Sequence, residues 1–399
     1  MRHTRVSWPH LAGLVLSVGG GLLFTVLVFL GPVGWASPGQ NLQYQNTPTP
    51  HQIYMPLVFR NYIAPNYRFG FGTVMNPISA YDPAEIARLR AGIYTSWTVL
   101  TAPAHPNDME YVQMVRLHQK KQWDAYNAPY AIPYTYTLQT SWSLIASAIA
   151  ANPGSLWLIG NEIERIDWPS GRQDEMLPEL YAQAYHEIYT FIKQRDPTAR
   201  VAIGGVIQAT PLRFKYLDRV LAAYQSFYGQ KMPVDVWNVH GFILREKHYY
   251  DGCPDCWGAD IPAGLTETVG ILYDVDDADD LDIFKQQIIA FRQWMKDKGE
   301  RDKPLIVTEY GPLMPFFSEE RIRDFMYGTF DFMQTATDSQ IGYPADNNRL
   351  VQQWLWYSLD CDPNRFGGRL FNHETKAITQ LGLYWEAYVK DPTRMVTSR

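Results

Sequence analysis

Short apolar runs alternate with longer amphipathic stretches along the chain, and that alternation is its strongest structural signal. There are eight such runs: RFGFGTV (68–74), AGIYTSWTVL (91–100), EYVQMVRL (110–117), SLWLIGNE (155–162), RVAIGGV (200–206), VDVWNVHGF (234–242), PLIVTEYG (304–311) and QQWLWYSLD (352–360). Between them the spacing of apolar positions predicts helices over 82–90, 140–151, 178–195, 211–228, 280–298, 318–335 and 375–389. Asp82 before Pro83, and Asp279-Asp280 before the Ile283/Phe284/Ile288/Phe291 face, are helix-start signals. Eight strands alternating with helices make parallel β/α units, and eight units close into a (β/α)8 TIM barrel, an α/β fold. Residues 119–139 read as a long aromatic loop. The acidic stretch YDVDDADDLD (273–282) lacks the glycine and glutamate spacing of an EF-hand, so it reads as a solvated turn capping the next helix.

The first residues stand apart from this pattern. Two arginines in MRHTR precede an uncharged apolar run from Leu11 to Ala36, the signature of an export segment. The run is long enough for a single membrane span, while Gly34-Trp35-Ala36 offers small residues to a signal peptidase. Either fate leaves the remainder extracytoplasmic, anchored or secreted. Residues 37–66, rich in Pro, Asn, Gln and Thr, read as a linker, and 67–399 as the barrel.

With 46% hydrophobic and 19% charged residues the chain can bury a large core. A net charge of −6 without a Lys/Arg stripe argues against a nucleic-acid partner. Aromatic residues are 14% of the chain, and many (Tyr130, Tyr134, Tyr136, Trp142, Trp257) fall in predicted loops, where exposed faces suit sugar rings or loop packing. Cys253 and Cys256 lie in GCPDCWG, flanked by turn residues, and read as a local disulfide; Cys361 leaves two other pairings open. No second CxxC or spaced His pair completes a metal set, and no cofactor is implied.

In a barrel of this type the reacting groups sit at the carboxyl ends of the strands. The fourth run ends in Asn161-Glu162, the sixth in His240, the seventh in Glu309-Tyr310, and the eighth carries Trp354 and Trp356. Strands four and seven face each other across the mouth, so their glutamates can converge. Two such carboxyls, one ionised and one protonated, are what glycosidic bond cleavage requires. Glu164, Arg165, Asp167 and Trp168 read as salt-bridged loop, and Asp360 and Asp362 as structural or functional alike.

Asn-Glu ending the fourth strand, Glu in IVTEYG ending the seventh and Trp on the eighth resemble the retaining glycoside hydrolases of clan A type, in particular a poorly described extracytoplasmic branch. The resemblance spans roughly 67–389. It implies Glu162 as acid/base, Glu309 as nucleophile and Asn161 as donor to the sugar 2-hydroxyl. It further implies Trp356 as stacking floor with Trp354 deeper, His240 beside the nucleophile, and Tyr310 among the substrate-binding residues. The sequence departs from the pattern twice. Ile163 stands where proline often follows Asn-Glu, and GIYTSWTVL offers no arginine to hold the nucleophile ionised, leaving Arg116 or Arg165 as substitutes. The expected function is hydrolysis of β-linked oligo- or polysaccharides with retention. The alternatives are a non-catalytic carbohydrate-binding envelope protein and a transglycosylase on the same site.

Overall fold

The computed structural model describes residues 65–125, 128–166, 173–249 and 257–395. Each predicted run forms a strand: β1 (Asn66–Gly72), β2 (Ala91–Thr95), β3 (Glu110–Val115), β4 (Leu156–Asn161), β5 (Arg200–Gly205), β6 (Trp237–Gly241), β7 (Leu305–Tyr310) and β8 (Gln353–Trp356). They pair in the order β5-β4-β3-β2-β1-β8-β7-β6. Parallel bridges Ala202–Val236 and Val206–Val239 join β5 to β6, bringing the sheet round on itself as a TIM-type barrel.

The helices are α1 (Pro83–Ala87), α2 (Trp142–Ala151), α3 (Pro178–Arg195), α4 (Pro211–Tyr228), α5 (Leu281–Asp297), α6 (Glu319–Thr335) and α7 (Gln380–Lys390). Their starts follow from side-chain caps: Asp82, Ser141, Asp280, Ser318 and Thr379 accept the first free backbone N–H groups of α1, α2, α5, α6 and α7. The last helix begins five residues later than its periodicity predicts, because Phe371 and Ile378 bridge first and Thr379 is the cap. The acidic stretch forms a 3-10 turn over Val275–Asp279 with a capping box between Asp274 and Asp277, and Asp280 then opens α5. The predicted aromatic loop is closed at its base by a short antiparallel pair, Leu117–Gln119 with Tyr136–Leu138.

Side-chain alternation divides the apolar residues into two layers. Ile93, Val112, Met114, Leu156, Leu158, Ala202, Val236, Ile306 and Leu355 fill the barrel interior as one buried cluster. Their neighbours in sequence, such as Phe69, Tyr94, Trp157, Ile159, Val307 and Trp354, pack outward against the helices. Burial on both faces is why the strands read as continuous apolar runs.

A fully buried ion network ties the long β6–α5 connection to the barrel. Arg213 on α4 meets Glu246 at 2.5 Å and Glu164 at 3.4 Å, and donates to the Ala259 carbonyl at 2.6 Å. Asp360 does similar work after β8, accepting from the Val74 and Asn76 backbone and from the Tyr81 hydroxyl. Cys361 is a buried free thiol whose Sγ lies 3.3 Å from the Gly367 carbonyl. The predicted export segment, nearly all of the predicted linker, and Cys253 and Cys256 lie outside the described residues. Among the described residues no helix is long and apolar enough to cross a membrane.

Removing a cation from a buried network leaves uncompensated charge. Arg213→Met is therefore expected to lower unfolding free energy by about 3–5 kcal/mol, read from the urea midpoint, whereas Lys215→Met on the exposed side of the same helix should barely move it.

Candidate active site

Three strands deliver Glu162, His240 and Glu309 to one point at the carboxyl end of the barrel, where one side-chain donor atom from each lies within 4.8 Å of the other two. Glu309 and Glu162 arrive by local departures from regular strand geometry. On β7 the register slips: Val307 pairs with Val239 but Tyr310 pairs with Gly241, so one extra residue sits on β7. That bulge lets Thr308 donate to Asn238 inside the barrel at 2.8 Å and still turns Glu309 into the mouth.

On β4 the device is a backbone turn. Gly160 has φ 91° and Glu162 φ 49°, the left-handed region that costs a non-glycine residue roughly 1–2 kcal/mol. The Glu162 N–H donates to the Gly205 carbonyl and the Arg165 N–H to the Glu162 carbonyl. The three side chains that follow consequently diverge. Ile163 is fully buried against Gly160 and Gly204, where an added Cβ would lie 2.5 Å from it. Glu164 turns to Arg213, and Arg165 folds back onto Glu162 at 3.0 Å. A proline at 163 would push Glu162 toward extended backbone, so the departure from the Asn-Glu-Pro pattern belongs to this turn.

His240, fully buried, stands between the carboxylates: Nδ1 is 3.6 Å from Glu162 Oε1 and Nε2 is 3.6 Å from Glu309 Oε1. Trp97, just past β2 with φ 53°, donates its indole N–H to Glu309 Oε1 at 2.6 Å. Gly72 on β1 makes room for that ring, since a Cβ there would come within 2.2 Å of it. Arg116 is held by Asp174 at 2.8 Å, and Asp174 also accepts the Asn161 backbone N–H at 2.9 Å.

These contacts split the two carboxyls. Burial pushes the Glu162 acid upward, but the Arg165 and His240 charges outweigh it and hold Glu162 down at about 2. Burial raises Glu309, and the neighbouring Glu162 charge adds to the rise; His240, Trp97 and Arg116 offset only part of it. Burial lowers His240, yet the two carboxylates win and its proton affinity rises. These surroundings thus favour the charged form of Glu162 and disfavour that of Glu309.

As a cation site the trio fits poorly. Its donors spread up to 4.8 Å apart, against roughly 3.4 Å for ligands around a tetrahedral zinc. The imidazole also lies between the carboxylates, with one nitrogen facing each.

Glu162, His240 and Glu309 therefore converge, with Asn161 adjacent on β4; its buried Oδ1 has no partner among the described residues. Trp354, Trp356 and Tyr310 do not join them. Leu355 faces the interior, so its neighbours point outward: Trp354 lies edge-on to Phe69 at 4.7 Å, and Trp356 donates to the Gly368 carbonyl and packs on Tyr310 at 5.2 Å. All three are fully buried, and neither tryptophan is a floor for sugar. The aromatic residue at the mouth is Tyr357, one position further on, half-buried against Trp97, Phe242 and Phe366. Trp97 lies two residues past β2, inside the second apolar run, near the place where the resemblance calls for an arginine.

No family model matches the chain, and no curated protein matches it. Among solved structures it is similar to a GH128 (subgroup I) endo-beta-1,3-glucanase from Amycolatopsis mediterranei, at 14% identity and TM-score 0.47, covering 81% of this chain and 99% of that one. A GH128 (subgroup VII) oligosaccharide-binding protein from Trichoderma gamsii aligns at 12% identity and TM-score 0.46, covering 82% and 96%. A GH5_18 protein from Streptomyces cattleya in complex with GlcNAc aligns at 11% and 0.46, covering 82% and 80%. At such identities and scores the reading of function rests on the site's own geometry.

Two outcomes follow from the electrostatics. Trp97→Phe keeps the ring and loses the donor, so the Glu309 ionisation should move further up, read by carbon NMR of labelled glutamate. A group raised in the folded state stabilises below its unfolded pKa and loses that contribution as pH rises through the folded value. Glu309→Gln removes this loss, and its melting temperature should exceed wild type by roughly 1–3 °C at pH 8, the gap closing near pH 4.

Proposed function

We propose that the protein is a glycoside hydrolase cleaving β-glycosidic bonds of an oligo- or polysaccharide with retention of configuration. One observation carries this reading: two buried carboxyls, from strands on opposite sides of the barrel, come within 4.8 Å of each other. That approach favours the ~5–5.5 Å separation of double-displacement enzymes over the ~6.5–9.5 Å of an inverting pair with its water.

Glu309 attacks the anomeric carbon as a carboxylate while Glu162 gives its proton to the departing oxygen, leaving a glycosyl ester on Glu309. Glu162 then takes a proton from water, whose oxygen attacks the same carbon and frees Glu309. Trp97 steadies the attacking oxygen, and Asn161 is placed to hydrogen-bond a ring hydroxyl. Exposed Trp123 and Tyr134 on the β3–α2 connection offer faces for further sugar units. The charged start and apolar run up to Ala36 support an exported, membrane-tethered or secreted placement.

Glu309→Ala is expected to abolish hydrolysis of aryl β-glycosides. Glu162→Ala should slow substrates with poor leaving groups by roughly 10²–10⁴, spare activated ones, and be rescued by azide with a β-glycosyl azide product. A 2-fluoro glycoside should label the Glu309 peptide. Full activity in both variants would sink the assignment, and an α-azide product would sink retention.

A further inference from the structure

Taken with the reading just given, the Arg165–Glu162 pair presents a conflict. An acid must hold a proton when substrate is bound, yet Glu162 rests in contact with a guanidinium that favours its charged form. The neighbouring buried acids have dedicated cations: Asp174 has Arg116, and Glu164 and Glu246 share Arg213. Arg165 is different, because the one described carboxylate it meets is the one that chemistry requires to be neutral.

The guanidinium is also incompletely used. Nη1 meets Glu162 Oε2 at 3.0 Å and Nη2 donates to the Gly258 carbonyl at 2.7 Å, while Nε is buried with no partner among the described residues. Its place is defined by the oxygen it touches. Glu162 Oε1 faces His240, whose other nitrogen faces Glu309, so that is the side where the sugar under attack must lie, and Oε2 faces Arg165. Arg165 therefore borders the side on which the departing sugar sits. An incoming carboxylate can accept from Nε and an Nη together, the bidentate geometry a guanidinium favours.

We propose that Arg165 recognises the carboxylate of a uronic acid in the leaving-group position, and that this carboxylate takes the guanidinium away from Glu162 as the substrate docks. Substrate then exchanges one anion for another at Arg165, and the buried charge count around the cation is unchanged. Glu162, released, takes up the proton the site already holds. The Glu309 O–H bond breaks as His240 Nε2–H forms, and His240 Nδ1–H breaks as Glu162 O–H forms. His240 has one nitrogen facing each carboxylate, as this transfer needs. The enzyme is thereby armed by acidic glycans and idles on neutral ones. Arg165 is a specificity residue for the leaving-group sugar, not a participant in bond breaking.

The test uses the full chain and a linear β-glucan offered in two forms, unmodified and with a fraction of its C6 hydroxymethyl groups oxidised to carboxylates. Wild type should cut the oxidised polymer so that glucuronyl units are enriched at least tenfold at new non-reducing ends. Arg165→Gln should lose that enrichment and raise the ratio of neutral to acidic cleavage, a split that simple structural damage would not produce; Arg165→Lys should restore part of it. Cleavage of both polymers without enrichment, or with glucuronyl units at new reducing ends, overturns the proposal and leaves the hydrolase reading standing. If neither polymer is cut, saturation-transfer NMR decides independently: glucuronate should contact wild type at least tenfold more tightly than its methyl ester, and equally in Arg165→Gln. Equal binding of acid and ester to wild type, or preference for glucose 6-sulfate over glucuronate, overturns it.

Discussion

Two buried carboxyl groups held within 4.8 Å of each other repel when both are charged, and most of the site is arranged around that repulsion. At an effective dielectric near 20 the cost is of order 3–4 kcal/mol, enough that the pair holds one proton between them over a wide pH range. What the surrounding residues decide is where that proton rests. Arg165 draws charge to Glu162, Trp97 offers Glu309 a single neutral donor, and His240 touches both. A guanidinium against a carboxylate outweighs an indole N–H, so the charged form is favoured on Glu162 and disfavoured on Glu309.

The scaffold makes this tolerable because the strain is local and its supports are rigid. Glu162 keeps a left-handed backbone since its N–H is tied to β5 and Ile163 is wedged between two glycines. Glu309 keeps its aim since the bulge on β7 is pinned by Thr308 and Asn238 below it and by buried Tyr310 behind it. The ion pairs Arg116–Asp174 and Arg213 with Glu164 and Glu246 add little net stability, given the desolvation they demand. Their contribution is placement: each binds a segment next to Asn161 or Glu162 to a barrel element.

The strands and helices were legible because burial on two faces and amphipathic spacing leave direct marks on a sequence. So were Glu162, His240 and Glu309, as polar residues closing apolar runs. Trp354 and Trp356 were not, since alternation shows that two residues share a face without showing which face, and a shift of one residue exchanges in for out. Leu355 settles it, being the residue of the two sets small enough for the packed barrel interior. The partner of Arg165 was not legible for another reason. The return of Arg165 to Glu162 depends on a left-handed turn at a glutamate, which no propensity favours and only the tertiary contacts of Ile163 enforce.

That turn also accounts for the charge following Asn-Glu. In a continuing strand, residues 163 to 165 would alternate between interior and helix layer, and two charges would meet apolar neighbours. With the chain reversed at Glu162, one apolar residue goes down into the packing, one acid goes sideways to the α4 cation, and one base comes back up to the mouth. Each charge thereby meets an opposite one. The arrangement of the tripeptide has a further consequence, because the three are coupled through one backbone. Glu164, held by the Ile207 N–H and Arg213, fixes the point from which Arg165 springs, and the cation's reach to Glu162 is set by an anchor that never touches the reacting groups. The placement of the Arg165 cation against Glu162 therefore depends on the packing beneath β4 as well as on the residues of the mouth.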